Sequence, residues 1–278
     1  MQLDLNLFRG RALILAIWTG LLVTPSLRAQ VGIGLSPMRL EVRMGPGLQQ
    51  SGALTVSNDS AGRLRIRAEL LDFYIDPTAT PQFGRKFPQE AEFSCQQWLS
   101  VNPMEWEQDA GSASNVRYTI RVPQGAAERS YHCAVGFTTL PTAAEVKGIG
   151  LRFSVRAVAA IYVVIGNPPI QGGVKDVQLE RVTDPKQPGW RAAVLLENKG
   201  WVVFRPAGEL VVLNDQGQIV ESNSFGSVPV LPRREQRFLV PLKAINDQGK
   251  YTLRVRVGIG TGEIQEGTSV VVARPPNP

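Results

Sequence analysis

The sequence predicts an all-β protein built as two immunoglobulin-like β-sandwich domains in tandem. Three observations predict it. Short runs of alternating apolar and polar residues recur along the chain, separated by turns rich in Gly, Pro, Asn and Asp. No stretch after residue 29 carries a convincing amphipathic helical pattern. The 278 residues exceed the roughly 100 that one such sandwich requires.

The N-terminus reads as a leader. Arg9 and Arg11 precede an apolar run from Ala12 to Val23, followed by Pro25, Ser26, Leu27, Arg28 and Ala29. A basic start, a short apolar centre and a small residue at the end form a secretory signal, with cleavage expected after Ala29. The run is shorter than the roughly 20 residues of a membrane span. No other segment is apolar and long enough for one, so the mature chain is expected to have no integral membrane span. We assign 1–29 to the signal, 30–166 and 167–273 to the two sandwiches, and 274–278 to a disordered tail.

In the first domain, Met38, Leu40, Val42 and Met44 alternate with Arg39, Glu41 and Arg43. Leu64, Ile66, Ala68 and Leu70 alternate with Arg65, Arg67 and Glu69, and Val116, Tyr118, Ile120 and Val122 with Arg117, Thr119 and Arg121. Side chains on a strand point to opposite faces in turn, so each run gives a core face and a solvent face of an antiparallel sheet. The longest run spans Lys147 to Ile165. Ile149, Leu151, Phe153, Val155, Ala157 and Ala159 occupy one face, and Gly150, Arg152, Ser154 and Arg156 the other. Ordinary strands have about five or six residues. One this long either bridges two parts of a fold or offers part of its length to another chain.

Gly166-Asn167-Pro168-Pro169 marks the domain boundary. Seven strands are expected beyond it, from Val174 to Val182, Trp190 to Glu197, Gly208 to Leu213, Gln218 to Glu221, Gln236 to Leu242, Tyr251 to Ile259 and Thr268 to Ala273. Asn214-Asp215-Gln216-Gly217 and Asp247-Gln248-Gly249 read as hairpin turns. No sequence repeat relates the two halves.

Cys95 and Cys133 are the only cysteines. An even count in an exported chain points to a disulfide between two β-segments, with two buried free thiols as the alternative. Neither belongs to a Cys-x-x-Cys pair, which argues against redox catalysis. The formal net charge is +6. Part of it lies in the leader, and the rest is spread over both domains. No basic cluster interleaves with aromatics, so nucleic acid is not an expected partner. Arginines on strand faces (Arg63, Arg65, Arg67, Arg117, Arg121, Arg152, Arg156) read as a solvated surface.

Catalysis finds little support. His132 is the only histidine, so no histidine cluster can ligate a metal and any serine triad would depend on it alone. It precedes Cys133 on an expected strand, which turns it away from the core toward solvent. Asp72 with Asp76, and Glu105 with Glu107, read as loop and edge residues. No Gly-x-Ser-x-Gly elbow, phosphate loop or dinucleotide fingerprint is present. Neither a cofactor nor a metal is expected.

The first domain, over residues 33 to 165, resembles the periplasmic pilus-assembly chaperones of the PapD-like superfamily. The resemblance lies in Ser36-Pro37-Met38-Arg39-Leu40, in Gly52-Ala53-Leu54-Thr55-Val56-Ser57-Asn58, in Trp98-Leu99-Ser100-Val101-Asn102-Pro103, and in the strand order ending with the long strand. It implies a periplasmic chaperone that binds a pilus-type subunit lacking its last strand. The chaperone lends its long strand to the open groove, a form of strand addition. The donated residues would be Ile149, Leu151, Phe153 and Val155. Burying four such side chains gives a gross gain of roughly 6–12 kcal/mol, much of it offset by association and ordering costs. The competing arrangement places the same side chains in the domain's own core. It would suit a structural or adhesive envelope protein.

The resemblance also implies two cations that grip the subunit's C-terminal carboxylate in the cleft between the domains. Arg39 matches the first. The second is a lysine late in the long strand, where this chain reads Ala157-Val158-Ala159-Ala160-Ile161-Tyr162, and Arg156 is the nearby candidate. An exported pilus-type subunit is the implied partner, with an outer-membrane usher as a second. The second domain departs from the family, carrying Asn198-Lys199-Gly200-Trp201 where an Asn-Pro-Thr-Pro-like turn is usual.

Overall fold

The computed structural model describes residues 32–140, 153–184, 186, 188–246 and 248–274. The expected signal, the tail from residue 275 and the run from 141 to 152 lie outside the described residues.

The first sandwich contains β1 (Ile33–Ser36), β2 (Arg39–Met44), β3 (Gln49–Asn58), β4 (Leu64–Ile75), β5 (Pro81–Gly84), β6 (Leu99–Asn102), β7 (Glu105–Gln108), β8 (Ala113–Arg121), β9 (Ser130–Leu140) and β10 (Arg156–Ile165). One sheet has the order β1-β3-β8-β6. The other has β2-β10-β9-β4-β5, with β7 also on β4. The alternation in the sequence becomes the packing. Leu54, Val56, Val116 and Ile120 from one sheet meet Ile66, Phe137, Ile161 and Val163 from the other in one buried core.

β1 and β2 belong to different sheets, and the chain crosses between them at Ser36–Pro37, a cis peptide bond. Proline has no N–H for a ladder, which suits it to this break. β2 then runs parallel to β10, with Arg39 opposite Ala160 and Met44 opposite Ile165. The wholly antiparallel sandwich that the sequence suggests thus has one parallel pair. β10 begins at Arg156, so the described strand has 10 residues and is shorter than the run of alternation.

The second sandwich contains β11 (Gly172–Val182), β12 (Gly189–Asn198), β13 (Ala207–Leu213), β14 (Ile219–Gly226), β15 (Glu235–Leu242), β16 (Gly249–Gly258) and β17 (Ile264–Ala273). Its sheets are β11-β12-β15 and β14-β13-β16-β17. Val194, Leu196, Leu210, Val212, Leu253 and Val255 centre its core. The 214–217 turn forms as its residues require. Asn214 Oδ1 accepts from the N–H groups of Gln216 and Gln218, and Gly217 takes φ +75°. The second expected hairpin does not join neighbouring strands: β15 and β16 belong to opposite sheets.

A third apolar cluster joins the sandwiches. Leu71, Phe73, Ala134 and Tyr162 face away from the first core and pack with Leu231, beside Val203. One face of the β2-β10-β9-β4 sheet is therefore an interdomain surface. At the junction Gly166 has φ +69°, and a Cβ there would lie 2.6 Å from the Glu128 carboxyl carbon. Arg43 holds this turn through Gly166 O at 2.8 Å and Asn167 Oδ1 at 3.1 Å.

Candidate functional site

Two features meet on β10. The first is a backbone edge. From Ala160 onward β10 is paired on both sides, by β9 and by β2. The last bond on the β2 side runs from Ala160 N–H to Met38 O at 3.0 Å. Upstream, Arg156 to Ala159 pair with β9 alone among the described residues. Backbone polar groups alternate between the two edges of a strand. Since Ala160 addresses the β2 side, Val158 and Arg156 address the open one.

Among the described residues, the segment before Arg156 is tied at one side only. Val155 O accepts from Thr139 N–H and Val155 N–H donates to Thr139 Oγ1, both at 3.0 Å. Ser154 Oγ donates to Thr139 O at 2.9 Å. Phe153 is 74% exposed, and Val155 is partly buried. Ile149 and Leu151, the other two expected strand-donor residues, lie outside the described residues.

The second feature is charged. Arg39 and Glu41 share the interdomain face of β2, and Arg205 reaches them from the second sandwich. Glu41 Oε1 receives Arg205 Nε at 2.7 Å and lies 3.3 Å from Arg39 Nε. Arg205 also donates to Ser227 O and covers the Tyr162 ring at 5.0 Å. Burial pushes the Tyr162 phenol above its usual value, and the charge and hydrogen bond of Arg205 pull it back. Two guanidinium groups thus converge on one carboxylate oxygen between the sandwiches, with the Tyr162 ring beneath Arg205.

Arg156, the sequence candidate for the second cation, is elsewhere. Arg39 pairs with Ala160, four residues further along β10. Roughly 13 Å of strand separates the two positions. Arg156 turns toward β9 and β4, bonding Thr138 Oγ1 at 3.1 Å and Glu69 Oε2 at 3.0 Å. The structure does not bring Arg39 and Arg156 together. It brings Arg39 and Arg205 together, and no local sequence signal marks Arg205.

His132 does face away from the core, yet it is only 2% exposed. It stands beside Tyr162 in the β9–β10 register and against the Phe73 ring at 5.0 Å. Its surface is covered by the segment from Pro88 to Phe93, a 3₁₀ turn. There Glu90, also 2% exposed, has Oε2 at 3.3 Å from His132 Nε2, without hydrogen-bond alignment. Glu90 Oε1 accepts from Arg234 of the second sandwich at 2.7 Å. The solvent-facing histidine expected from alternation is instead buried among Phe73, Phe93 and Glu90.

The disulfide Cys95–Cys133 is formed, with Cα atoms 5.2 Å apart. It joins β9 to a residue between two 3₁₀ turns rather than to a second strand. The strand-face arginines are not bare. Arg63 pairs with Asp109 and Glu107, and Arg65 and Arg67 share Glu105 across the β4–β7 pair. Asp72 accepts from Ser94 Oγ at 2.5 Å, and Asp76 Oδ1 organises its turn through Thr78 and Thr80. These acids are held as structural acceptors. Among the described residues no group of three or more His, Cys, Asp or Glu could hold a metal ion. No described helix is long and apolar enough to cross a membrane.

No family model matches the chain, and no curated protein matches it. Several solved structures are similar to it. A chain from a chaperone–tip adhesin complex of CFA/I fimbriae biogenesis is 12% identical, with a TM-score of 0.47 over 87% of this chain and 100% of that chain. The E. coli chaperone DraB is 15% identical, with a TM-score of 0.43 over 85% of this chain and 98% of its own. The Pseudomonas aeruginosa CupB2 chaperone is 14% identical, with a TM-score of 0.40 over 85% and 100%. Each likeness extends over most of this chain at low identity.

Proposed function

We propose that this protein is a periplasmic chaperone that caps exported pilus-type or other surface-structure subunits by strand addition at β10. The observation that carries the reading is the open backbone edge at Arg156 to Ala159, continued upstream by the exposed Phe153. An unpaired edge is a template for another strand, and alternate side chains supply specificity. Phe153 is available to a partner because its own core does not use it. Ile149 and Leu151 extend the same alternation in sequence, and we assign them to the donated segment with Phe153 and Val155. Arg39 and Arg205 are the proposed grip for the subunit's terminal carboxylate. A guanidinium meets a carboxylate with two parallel hydrogen bonds, fixing register as well as affinity. An outer-membrane usher is the proposed second partner.

The test is to isolate the mature protein from its native envelope after mild cross-linking and identify what comes with it. A Phe153→Asp, Val155→Asp variant is the control. Because Phe153 is exposed, this variant should fold. A small exported β-subunit captured by the wild type and lost in the folded variant is the expected result. A folded variant that captures the same proteins as the wild type would overturn strand donation. It would favour a structural or adhesive envelope role for the two sandwiches.

A further inference from the structure

Glu41 occupies the cations that the proposed carboxylate grip requires. Its Oε1 alone takes Arg205 Nε at 2.7 Å and lies 3.3 Å from Arg39 Nε. The arrangement is accessible, with the Arg39 and Glu41 side chains each more than half exposed and that of Arg205 24% exposed. Beneath them Tyr162, paired with Glu41 in the β2–β10 register, forms a fixed floor. Arg205 is further restrained by Ser227 O at 2.9 Å.

We infer that Glu41 is an internal competitor, a carboxylate of the chain's own that fills the Arg39–Arg205 grip until an incoming carboxylate displaces it. The inference rests on reading that cleft as a carboxylate site and adds the regulation of it. A brace between two sandwiches would be served by one cation. Here two cations from different sandwiches converge on one half-exposed oxygen, where an ion pair is weak and exchangeable. Arg205 Nε donates to one oxygen of Glu41, and Arg39 Nε stands 3.3 Å from that same oxygen, so the two cations share a single acceptor. A ligand carboxylate able to engage both arginines through both of its oxygens has an advantage over Glu41. The resident charge also sets a threshold, since weakly bound carboxylates face repulsion from it.

The consequence has an unusual sign: removing a charge that contacts both binding residues should strengthen binding. Glu41→Gln retains an oxygen for Arg205 while removing the charge. The probe is an N-terminally fluorescent decapeptide of alternating valine and serine with a free C-terminal carboxylate, compared with its C-terminally amidated twin by anisotropy at low salt. For the wild type, the free acid should bind more tightly than the amide. For Glu41→Gln, that acid-to-amide affinity ratio should rise about fivefold, the upper range for exposed pairs, and the gain should shrink in 0.5 M salt, taken as roughly a 4 Å screening length. Arg205→Gln, tested independently, should lower the ratio.

Binding of both peptides with an unchanged or reduced ratio in Glu41→Gln would overturn the competitor role while leaving strand addition standing. Failure of both peptides to bind folded wild-type protein would overturn both. Equal melting temperatures and circular dichroism spectra establish that the compared proteins are folded.

Discussion

Asn58 and Asn198 share three matching side-chain hydrogen bonds in the two sandwiches. Asn58 ends β3, and Asn198 ends β12. In each, Oδ1 accepts from the N–H two residues on, Ser60 or Gly200, at 3.0 Å. In each, Nδ2 donates to the carbonyl four residues on, Gly62 at 2.8 Å or Val202 at 2.7 Å. Nδ2 donates again at 3.0 Å to a distant carbonyl, Gln108 in one and Val230 in the other. One buried side chain thereby closes the turn and fastens it to a remote segment.

Asn58→Ala and Asn198→Ala should therefore each destabilise the protein by about 2 kcal/mol or more, because two carbonyls and one N–H lose their partner in a buried setting. Asn→Asp at either site should not rescue, since the acid supplies no Nδ2 donor. Urea unfolding checks both, and a loss below about 0.5 kcal/mol, the scale of an ordinary surface change, would refute the closing role.

The Asn pair shows where sequence reading stopped. The strand faces were legible because Leu54, Val56, Ile66 and Ile161 alternate with polar residues, and burial follows a period of two. The two Asn residues sit in segments that share only a strand ending in Asn and a turn, too little to register as a repeat. Arg205 was illegible for a different reason. Its partner Glu41 lies 164 positions away, and only the docking of one sandwich on the other brings them together. His132 was misread because alternation reports which side of a sheet a residue occupies and is silent on what covers that side. The Pro88–Phe93 turn does so here, with its Glu90 held by Arg234 of the second sandwich. The length of the strand expected from Lys147 to Ile165 was read from alternation alone, which cannot tell a ladder from an extended segment.

The disulfide should dominate the stability of the first sandwich. Cys95 and Cys133 are separated by 38 residues and both are buried. Closing a loop of that length constrains the unfolded chain by about 4 kcal/mol on the entropy model. The bond also fastens the segment that carries Glu90 against β9. A Cys95→Ala, Cys133→Ala variant should unfold at markedly lower urea concentration than the oxidised protein, and reductant should shift the wild type toward the variant. Coincident unfolding of oxidised and reduced wild type would contradict this.

Glu221 gives the second sandwich an acid-sensitive support. Burial acts to raise its carboxyl pKa, but the Asn223 side chain and the N–H groups of Ala244 and Lys243 hold it below the ordinary value. The two backbone bonds are 2.8 and 2.9 Å and tie β14 to the segment after β15. A depressed carboxylate binds its proton more weakly when folded than when unfolded. Its stabilisation is present above the unfolded value of about 4.3 and is lost as pH falls through the lower folded value. Stability measured against pH for wild type and Glu221→Gln should differ near neutrality and converge in acid. A constant difference across pH 2 to 7, a span chosen around about 4.3, would assign the effect to packing.

Ser130 makes two of the hydrogen bonds between the sandwiches. It starts β9 and is almost fully buried. Its N–H donates to Trp201 O at 2.8 Å, and its Oγ accepts from Val203 N–H at 3.0 Å. The 199–204 segment thus docks on β9 through two bonds to a single residue. Ser130→Ala preserves the first and orphans the Val203 N–H at a buried contact. A lost neutral bond costs about 1 kcal/mol or somewhat more, and 1.4 kcal/mol is about a factor of ten in an opening equilibrium. Hydrogen exchange at Val203 should therefore accelerate about tenfold while amides in the two cores, such as Ile161 and Leu253, keep their protection. Acceleration throughout both cores would mean that Ser130 supports folding of the sandwiches themselves. Acceleration confined to Val203 and its neighbours identifies it as a joint, and a joint at this position governs how Arg205 meets Glu41.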